Sequence, residues 1–331
     1  METAIIFGGS GYIGSNLARR LSSENRFKNL VLADIKKPKS PLPANVCFKQ
    51  CDVRNPIFEQ LGDIHPDWIF NFAAVHREPG HKGSEYFDTN ISGARNVCKY
   101  AETVKCQNIL FTSSISVYGP TVEATTENSP KYPKTPYGIS KLCAELIHEC
   151  WYRSGNSRKL IICRPGVVYG PGDPGNILRM IKAVQKGYFF FPGTTKIRKS
   201  YAYIEGLIDS FVFAISYPDS LFLYNYVEKE TETIGGLIQI VKQELSSSSP
   251  VIAIPLWVLL PFAHGIQFLT NGKSPIHPER VKKAAFPTHI VPFNLEQVGF
   301  NFKYDFRSSL KDWISSAPED FFKGRNSLKT N

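Results

Sequence analysis

The sequence predicts an α/β fold, in which a doubly wound parallel sheet with helices on both faces is followed by a smaller C-terminal α/β part. Short apolar runs alternate with helical patterns through about residue 170, which favours a parallel sheet covered on both sides. The chain has 331 residues, enough for one large α/β domain and an appended part. We expect the first domain over residues 1–175, with some later elements returning to it, and the smaller part over residues 176–331.

Six short apolar runs, several of them rich in branched side chains, predict the first strands of this sheet. They cover residues 3–7, 30–33, 46–50, 68–74, 108–114 and 160–166. Helices are expected around residues 92–104 and 138–153, and a final element near residues 310–314. Beyond about residue 175 the alternation becomes unclear, and aromatic residues and prolines are frequent.

A glycine-rich turn joins the first strand to the first helix. Residues 8–14 read GGSGYIG, which contains G-x-G-x-x-G from Gly9 and also a glycine at every third position from Gly8. Glycines in such a turn let the backbone approach a pyrophosphate, which binds at the positive end of the following helix. The position of this motif between a strand and a helix therefore predicts a dinucleotide site.

Asp34 ends the second strand and follows Gly14 by 20 residues. A carboxylate at about this distance accepts hydrogen bonds from the adenosine ribose and repels a 2′-phosphate. Asp34 therefore favours NAD over NADP, although Lys36 and Lys37 follow closely and weaken that preference.

Residues 137–141 read YGISK and follow both the glycine turn and a serine-rich strand end at Ser114. Tyr137 and Lys141 are four residues apart, so they share one face of a helix. We expect the Lys141 ammonium to lower the pKa of the Tyr137 phenol. Tyr137 is then a candidate general acid or base for a hydroxyl or carbonyl group.

The composition narrows the classes of partner and site. A net charge of +10 suggests an anionic ligand, either nucleotide phosphates or a membrane surface, and no nucleic-acid-binding motif is present. The seven cysteines form no C-x-x-C pair, which indicates reduced, buried thiols of a cytoplasmic protein. The seven histidines show no ligand spacing, so we expect no metal. Since the first strand begins at residue 3, we also expect no secretory leader.

Residues 251–269 form the most apolar stretch of the chain. Two prolines, His264, Gly265 and Gln267 interrupt it, whereas a membrane span needs about 20 predominantly apolar residues. We expect no integral membrane segment here, but a buried strand followed by an apolar helix. A peripheral membrane contact is the alternative.

Taken in order, these motifs resemble the extended short-chain dehydrogenase/reductase family, and more narrowly its nucleotide-sugar epimerase/dehydratase branch. The resemblance is strongest through about residue 205. Its markers are GGSGYIG (8–14), CDVRN (51–55), NFAAVH (71–76), NISGARNV (90–97), FTSSISVYG (111–119), YGISK (137–141), RPGVVYGPG (164–172) and RKSYAYIE (198–205).

The resemblance implies a Rossmann domain that binds NAD. It places at the dinucleotide Gly8, Gly11, Tyr12, Ile13, Asp34, Asp52, Val53, Ala73, Ala74, Tyr137, Lys141, Pro165 and Val167. Ser114 would hydrogen-bond the substrate oxygen that Tyr137 protonates or deprotonates, and Lys141 would hold the nicotinamide ribose. Asn90 would support the site structurally.

For the substrate, the resemblance implies a nucleotide sugar. Asn176 and either Arg198 or Lys199 match family positions that meet a diphosphate, and Arg280 is a further candidate because an Arg fork suits that group. His76 is placed to face the sugar. The helices around residues 92–104 and 138–153 resemble those through which family members form homodimers.

Two reactions at C4 of the sugar remain open. In an epimerase a transient 4-keto sugar regains its hydride on the other face, whereas a 4-ketoreductase uses reduced cofactor from solution. Asp34 favours NAD and hence the epimerase, our narrow preference. Gly166, where galactose-type epimerases usually carry Asn, favours the reductase. Ile115 and Ser116 replace the acidic pair that a 4,6-dehydratase needs after Ser114.

Two other classes stay open as well. The chain is either a reductase of a non-sugar ketone within the same family, or a non-catalytic NAD-binding protein on the same fold. The first gains some support from the apolar residues 251–269, and the second is disfavoured by the intact set of Ser114, Tyr137 and Lys141.

Overall fold

A computed structural model describes residues 1–78, 80–173, 175–187, 189–248, 250–270, 274 and 277–322. The strands are β1 (Thr3–Phe7), β2 (Asn29–Asp34), β3 (Val46–Gln50), β4 (Trp68–Asn71), β5 (Asn108–Thr112), β6 (Thr121–Thr125), β7 (Lys159–Pro165), β8 (Val167–Tyr169), β9 (Phe189–Pro192), β10 (Tyr201–Tyr203), β11 (Leu221–Tyr226), β12 (Val251–Ile254) and β13 (Thr288–Ile290).

The α-helices are α1 (Tyr12–Ser23), α2 (Ile57–Leu61), α3 (Gly83–Tyr86), α4 (Gly93–Thr103), α5 (Pro136–Arg153), α6 (Asn176–Gln185), α7 (Ile204–Ser216), α8 (Ile234–Glu244), α9 (Leu256–Leu269), α10 (Pro278–Ala285), α11 (Phe293–Gln297) and α12 (Phe306–Ser316). A π-helical turn, Phe87–Ser92, joins α3 to α4.

Seven strands form one parallel sheet in the order β11-β7-β5-β4-β1-β2-β3. The chain runs outward from β1 to β3 and then returns to place β4 on the other side of β1. The strand order therefore reverses between β1 and β4. In open α/β sheets this is where the crevice for ligands lies, outside the carboxyl ends of the strands.

The central strands are apolar throughout because helices cover both faces of the sheet. Successive side chains of β1 point to opposite faces. Ile6 belongs to the buried cluster that includes Leu17 of α1 and Leu207 of α7, and Ile5 belongs to the cluster that includes Val97 of α4. The parallel α/β fold predicted from the sequence is confirmed.

The six predicted strands are present, but three of them end early. β4 ends at Asn71, β5 at Thr112 and β7 at Pro165, because the chain leaves the sheet there and turns into the loops above its carboxyl edge. The last strand of the sheet, β11, lies beyond residue 175 in the chain and pairs with β7. The final predicted element is α12.

The apolar stretch at residues 251–269 folds as predicted but is not buried. β12 pairs with β9, and α9 follows it. The expectation of a buried strand is wrong, because Ile252 of β12 is 46% exposed. The apolar helix α9 is also largely exposed, since Ala263 is its buried residue and Trp257 is 77% exposed. Among the described residues, no helix is long and apolar enough to cross a membrane.

Candidate active site

The glycine turn can be built only with glycine at its key positions. Gly8 has a φ of +73°, and a Cβ there would lie 2.7 Å from the backbone nitrogen of Ala73. A Cβ on Gly14 would lie 2.5 Å from the Gly8 carbonyl oxygen, and the Gly11 N–H donates to that same oxygen at 3.0 Å. The turn therefore packs against the loop after β4, which carries Ala73 and Ala74.

The same turn fits a dinucleotide pyrophosphate. Gly11 precedes α1 and has no side chain to cap the first N–H groups of that helix, which leaves them as donors for an anion. Ser10 Oγ is buried and has no hydrogen-bond partner in the described part of the chain. Such an orphaned polar atom needs a ligand or water to offset its burial. Tyr12 and Ile13 begin α1 and lie partly buried beside the turn.

Asp34 lies beside the glycine turn at the carboxyl end of β2. Its Oδ2 accepts a hydrogen bond from the Ser10 N–H at 3.1 Å, and its Oδ1 accepts one from the Lys36 N–H at 3.1 Å. These bonds fix the carboxylate between β1 and β2. This is where the ribose of a dinucleotide on α1 would lie.

Asp52 and Val53 follow β3, the next strand along the sheet. The Arg54 guanidinium binds the Asp52 carboxylate at 2.6 Å and lowers the pKa of that carboxyl group. Val53 is buried against Gly93 of α4. The structure thus gives both side chains partners within the protein.

Tyr137, Lys141 and Ser114 meet at the carboxyl ends of the central strands. Thr135 caps α5 by accepting a hydrogen bond from the Gly138 N–H at 3.1 Å, and Ser114 follows β5. Burial raises the pKa of Tyr137 to about 12, while the Ser114 hydroxyl acts in the opposite direction.

The pKa of Tyr137 is thus raised overall, and not lowered as expected, because burial of its phenol is the largest effect. Lys141 is only 2% exposed, and burial lowers the pKa of its ammonium to about 7, while the charge of Glu145 acts in the opposite direction. The Lys141 Nζ lies 4.4 Å from the centre of the Phe111 ring. Burial favours the neutral form of both groups, so Lys141 is near its titration midpoint at neutral pH.

A buried polar network behind Lys141 is missing from the sequence predictions. Arg164 binds both carboxylate oxygens of Glu145 at 2.8 and 2.7 Å, and it also donates to the Tyr118 hydroxyl at 2.7 Å. Tyr118 in turn donates to Asn225 of β11 at 2.8 Å. Two features of the sequence could have revealed this network. Glu145 follows Lys141 by one helical turn, and Arg164 interrupts the apolar run of β7.

Two further side chains hold α5 in place. Asn90, in the π-helical turn, bonds both the N–H and the carbonyl of Val75 and donates to Ser140 Oγ at 2.8 Å. These bonds tie the π-helical turn to the loop after β4 and to α5. Glu78 Oε1 accepts a hydrogen bond from the Tyr137 backbone N–H at 2.9 Å, and Glu78 Oε2 lies 3.3 Å from Lys283 Nζ. Glu78 was not identified from the sequence.

The chain after β7 explains the glycine at position 166. A Cβ on Gly166 would lie 2.7 Å from the Ser200 carbonyl oxygen, which also accepts a hydrogen bond from the Val167 N–H at 3.0 Å. Pro165 is buried at the end of β7, and Val167 begins β8 with an exposed side chain. Packing therefore requires glycine at position 166.

The predicted substrate residues lie on separate elements of the chain. Asn176 begins α6 and accepts a hydrogen bond from Arg179 at 2.6 Å, and Arg198 donates to the Thr231 carbonyl. Lys199 donates to the Lys283 carbonyl at 2.8 Å, and burial lowers its pKa to about 8. Arg280 is exposed on α10.

His76 lies near the catalytic candidates, in the loop after β4. Desolvation lowers the pKa of its imidazole first, and the charges of Arg77 and Lys141 lower it further. In the described ranges, no three or more His, Cys, Asp or Glu side chains cluster so as to hold a metal ion. All seven cysteines are free, but Cys47 and Cys150 are exposed rather than buried as expected.

Comparison with known proteins shows which family this chain belongs to. Residues 4–225 match the sequence model of the NAD dependent epimerase/dehydratase family. The chain belongs to this family. It is an NAD-dependent enzyme of the epimerase/oxidoreductase type, as the resemblance implied.

One relative matches almost end to end. It is the N-acetyl-alpha-D-glucosaminyl-diphospho-ditrans,octacis-undecaprenol 4-epimerase of Escherichia coli O157:H7, with 28% identity over 96% of this chain and 99% of the relative. The UDP-glucose 4-epimerase of Vibrio cholerae is 24% identical over 77% of this chain and 80% of its own length.

Solved structures share the fold. UDP-glucose 4-epimerase of Thermotoga maritima with UDP-glucose superposes with a TM-score of 0.75 at 19% identity, covering 95% of this chain and 97% of that one. UDP-glucose 4-epimerase of Thermus thermophilus with NAD gives a TM-score of 0.73 at 19% identity, covering 95% of this chain and 98% of that one.

Proposed function

We propose that this protein interconverts the C4 epimers of a hexose or N-acetylhexosamine carried on a diphosphate, with a UDP-sugar as the first candidate. The observation that carries the proposal is that Ser114, which follows β5, and the helix α5, which carries Tyr137 and Lys141, meet at the carboxyl edge of the parallel sheet, the same edge at which the glycine turn follows β1. NAD bound at that turn would supply hydride chemistry at C4.

The residues have separate roles in this proposal. Tyr137 exchanges a proton with the C4 oxygen of the sugar, and Ser114 hydrogen-bonds that same oxygen. Lys141 in its protonated form favours the Tyr137 phenolate, which burial alone disfavours. Because the pKa of Lys141 is about 7, a small change in its surroundings is enough to charge it.

Epimerisation is preferred to reduction because the sequence argument for reduction has another explanation. Gly166 favoured a 4-ketoreductase on sequence grounds, but packing against Ser200 already accounts for glycine at this position. It therefore no longer separates the two reactions. The relative that matches over nearly its whole length is a 4-epimerase.

A sugar on a polyprenyl diphosphate is the second candidate substrate. Two observations favour it: the relative with this kind of substrate matches 99% of its own length, and α9 exposes an apolar surface in the C-terminal part. A nucleotide and a polyprenol share the diphosphate, so the proposed roles of Asn176, Arg198, Lys199 and Arg280 apply to either carrier.

Further proposals concern the cofactor and assembly. Asp34, fixed beside the glycine turn, supports NAD rather than NADP. A homodimer through α4 and α5 is supported by the exposed Ile139 and Leu146 of α5. We also propose a cytoplasmic enzyme that serves surface-polysaccharide synthesis.

The proposed function is tested by incubating the purified protein with UDP-N-acetylglucosamine, and separately with N-acetylglucosamine on a short polyprenyl diphosphate. Formation of the C4 epimer of either substrate without added cofactor is expected. If neither substrate epimerises and a 4-keto sugar nucleotide is instead reduced by added NADH or NADPH, the protein is a ketoreductase.

A further inference from the structure

The helix α9 is apolar except for His264 and Gln267. It contains no Asp, Glu, Lys or Arg. Its exposed residues fall on one side of the helix, and they include Trp257, Phe262, Phe268 and Leu269. Phe268 and Leu269 are 84% and 81% exposed. A helix on a water-facing surface normally places polar side chains on its outer side, so this surface is built for contact with something apolar.

The tryptophans show how unusual this surface is within the chain. Trp68, Trp151 and Trp313 are buried, with exposures of 4%, 3% and 0%, whereas Trp257 is 77% exposed. Tryptophan is favoured where one side of a molecule meets the headgroup region of a membrane. The exposed aromatic residues of α9 therefore suit a bilayer surface.

Positive charge lies next to this apolar surface. α10 packs on α9 and carries Arg280, Lys282 and Lys283 against one acidic residue, Glu279. The whole chain has a net charge of +10. Apolar side chains with adjacent basic residues are the combination by which interfacial helices bind anionic lipids. A second copy of this chain would bring the same positive charges toward each other, which favours lipid as the occupant.

We propose that α9 lies in the surface of an anionic lipid bilayer, with α10 against the lipid headgroups. A 14-residue helix is about 21 Å long, too short for the hydrocarbon core of about 30 Å, so the helix lies along the membrane rather than across it.

This surface connects directly to the candidate active site. Lys283 of α10 pairs with Glu78, whose other oxygen holds the Tyr137 N–H. Lys199 also donates to the Lys283 carbonyl. Docking of α9 would therefore bring the bilayer next to the helix that carries Tyr137. Membrane binding goes beyond the proposed reaction and does not depend on which sugar carrier is used.

The test uses fluorescence of the full-length protein with vesicles of equal parts phosphatidylethanolamine and phosphatidylglycerol, in which a fraction of the lipid carries bromine on its acyl chains. Bromine quenches only tryptophans that enter the bilayer, and Trp257 is the exposed one of the four. We expect quenching together with co-sedimentation. Because charge contributes to binding, both signals should fall when salt is added and when phosphatidylcholine vesicles replace the anionic ones.

Matched variants assign the signal to α9. The triple variant W257S/F268S/L269S should bind vesicles at least ~10-fold more weakly, since each large apolar side chain contributes strongly when buried. Trp257→Phe should keep the co-sedimentation but lose the bromine quenching. Phe58→Ser, an exposed apolar residue of α2, should change neither.

Two results would overturn the proposal. One is the absence of vesicle binding while Trp257 remains open to a water-soluble quencher. The other is a dimer in solution in which Trp257 is shielded and which W257S/F268S/L269S converts to monomers. Neither result depends on epimerase activity, so this proposal and the proposed function can fail separately.

Discussion

The helices α5 and α9 place their side chains in opposite ways. On α5 the charged and polar residues Lys141, Glu145 and His148 point inward and are buried, and Glu145 and His148 hydrogen-bond partners inside the protein. On α9 the large apolar residues Trp257 and Phe268 point outward. Each arrangement is unfavourable in isolation, because buried charges need partners and exposed apolar groups need an apolar contact.

The difference separates two kinds of function. On α5, Glu145 and His148 are compensated within the chain, which suits a role in holding the helix that carries Tyr137 and Lys141. The apolar surface of α9 has no comparable compensation among the described residues, as expected of a surface that contacts something outside the chain. The following variants test this contrast.

The largest effect is expected from Tyr137→Phe. Loss of the hydroxyl removes proton exchange with the substrate oxygen, and turnover should fall by about 10²- to 10⁴-fold. Tyr152→Phe is a control on the same helix, since the Tyr152 hydroxyl bonds Ser220 and should leave turnover unchanged. Full activity of Tyr137→Phe would remove this residue from the mechanism.

Glu145→Gln tests the internal compensation of α5. It leaves the fully buried Arg164 guanidinium without its carboxylate, and breaking such a pair costs about 3–5 kcal/mol in the free energy of unfolding. Urea denaturation measures this change. Glu24→Gln at the surface pair with Arg26 should cost less than about 1 kcal/mol. Equal losses in the two variants would show that the buried pair is unimportant.

The pH dependence of stability tests the state of Lys141. Burial lowers its pKa from 10.5 to about 7. Between these values the unfolded chain binds more protons than the folded chain, so stability rises with pH. The free energy of unfolding of the wild type, minus that of Lys141→Met, should increase by about 2 kcal/mol from about pH 7.5 to about pH 9. A difference that stays constant or falls would contradict the low pKa.

Asp34→Ala tests the preference for NAD. Removal of the carboxylate takes away hydrogen bonds to the ribose and the repulsion of a 2′-phosphate. The ratio of NAD to NADP affinity should fall about 10-fold, as measured by titration calorimetry. Asp63→Ala is the control, because its exposed carboxylate pairs with His65. An unchanged ratio in Asp34→Ala would exclude Asp34 as the selectivity residue.

The smallest effect is expected from Trp257→Ala. Since the side chain is mostly exposed, the free energy of unfolding should change by no more than about 0.5 kcal/mol. Trp151→Ala, at a buried position of α5, should cost about 3–5 kcal/mol. A large loss in Trp257→Ala would mean that α9 packs within the protein.

Local patterns predicted the parts of the site that depend on nearby residues. Gly8, Gly14 and Asp34 are recognisable because a strand, a turn and a helix adjoin in sequence. Glu78 and Arg164 were missed because their partners, Lys283 and Tyr118, are distant in the chain. Hydropathy located the helix α9 but did not show whether its side chains are buried or exposed. A helix without charged residues fits a protein core as well as a membrane surface.

The most direct test of the proposed reaction uses sugar diphosphates with deuterium at C4, offered to the purified enzyme without added cofactor on both the uridine and the polyprenyl carrier. The account predicts the C4 epimer of one of them with its deuterium retained, and no conversion by Tyr137→Phe. An epimer that loses the deuterium to solvent, or no epimer from either carrier, would contradict it.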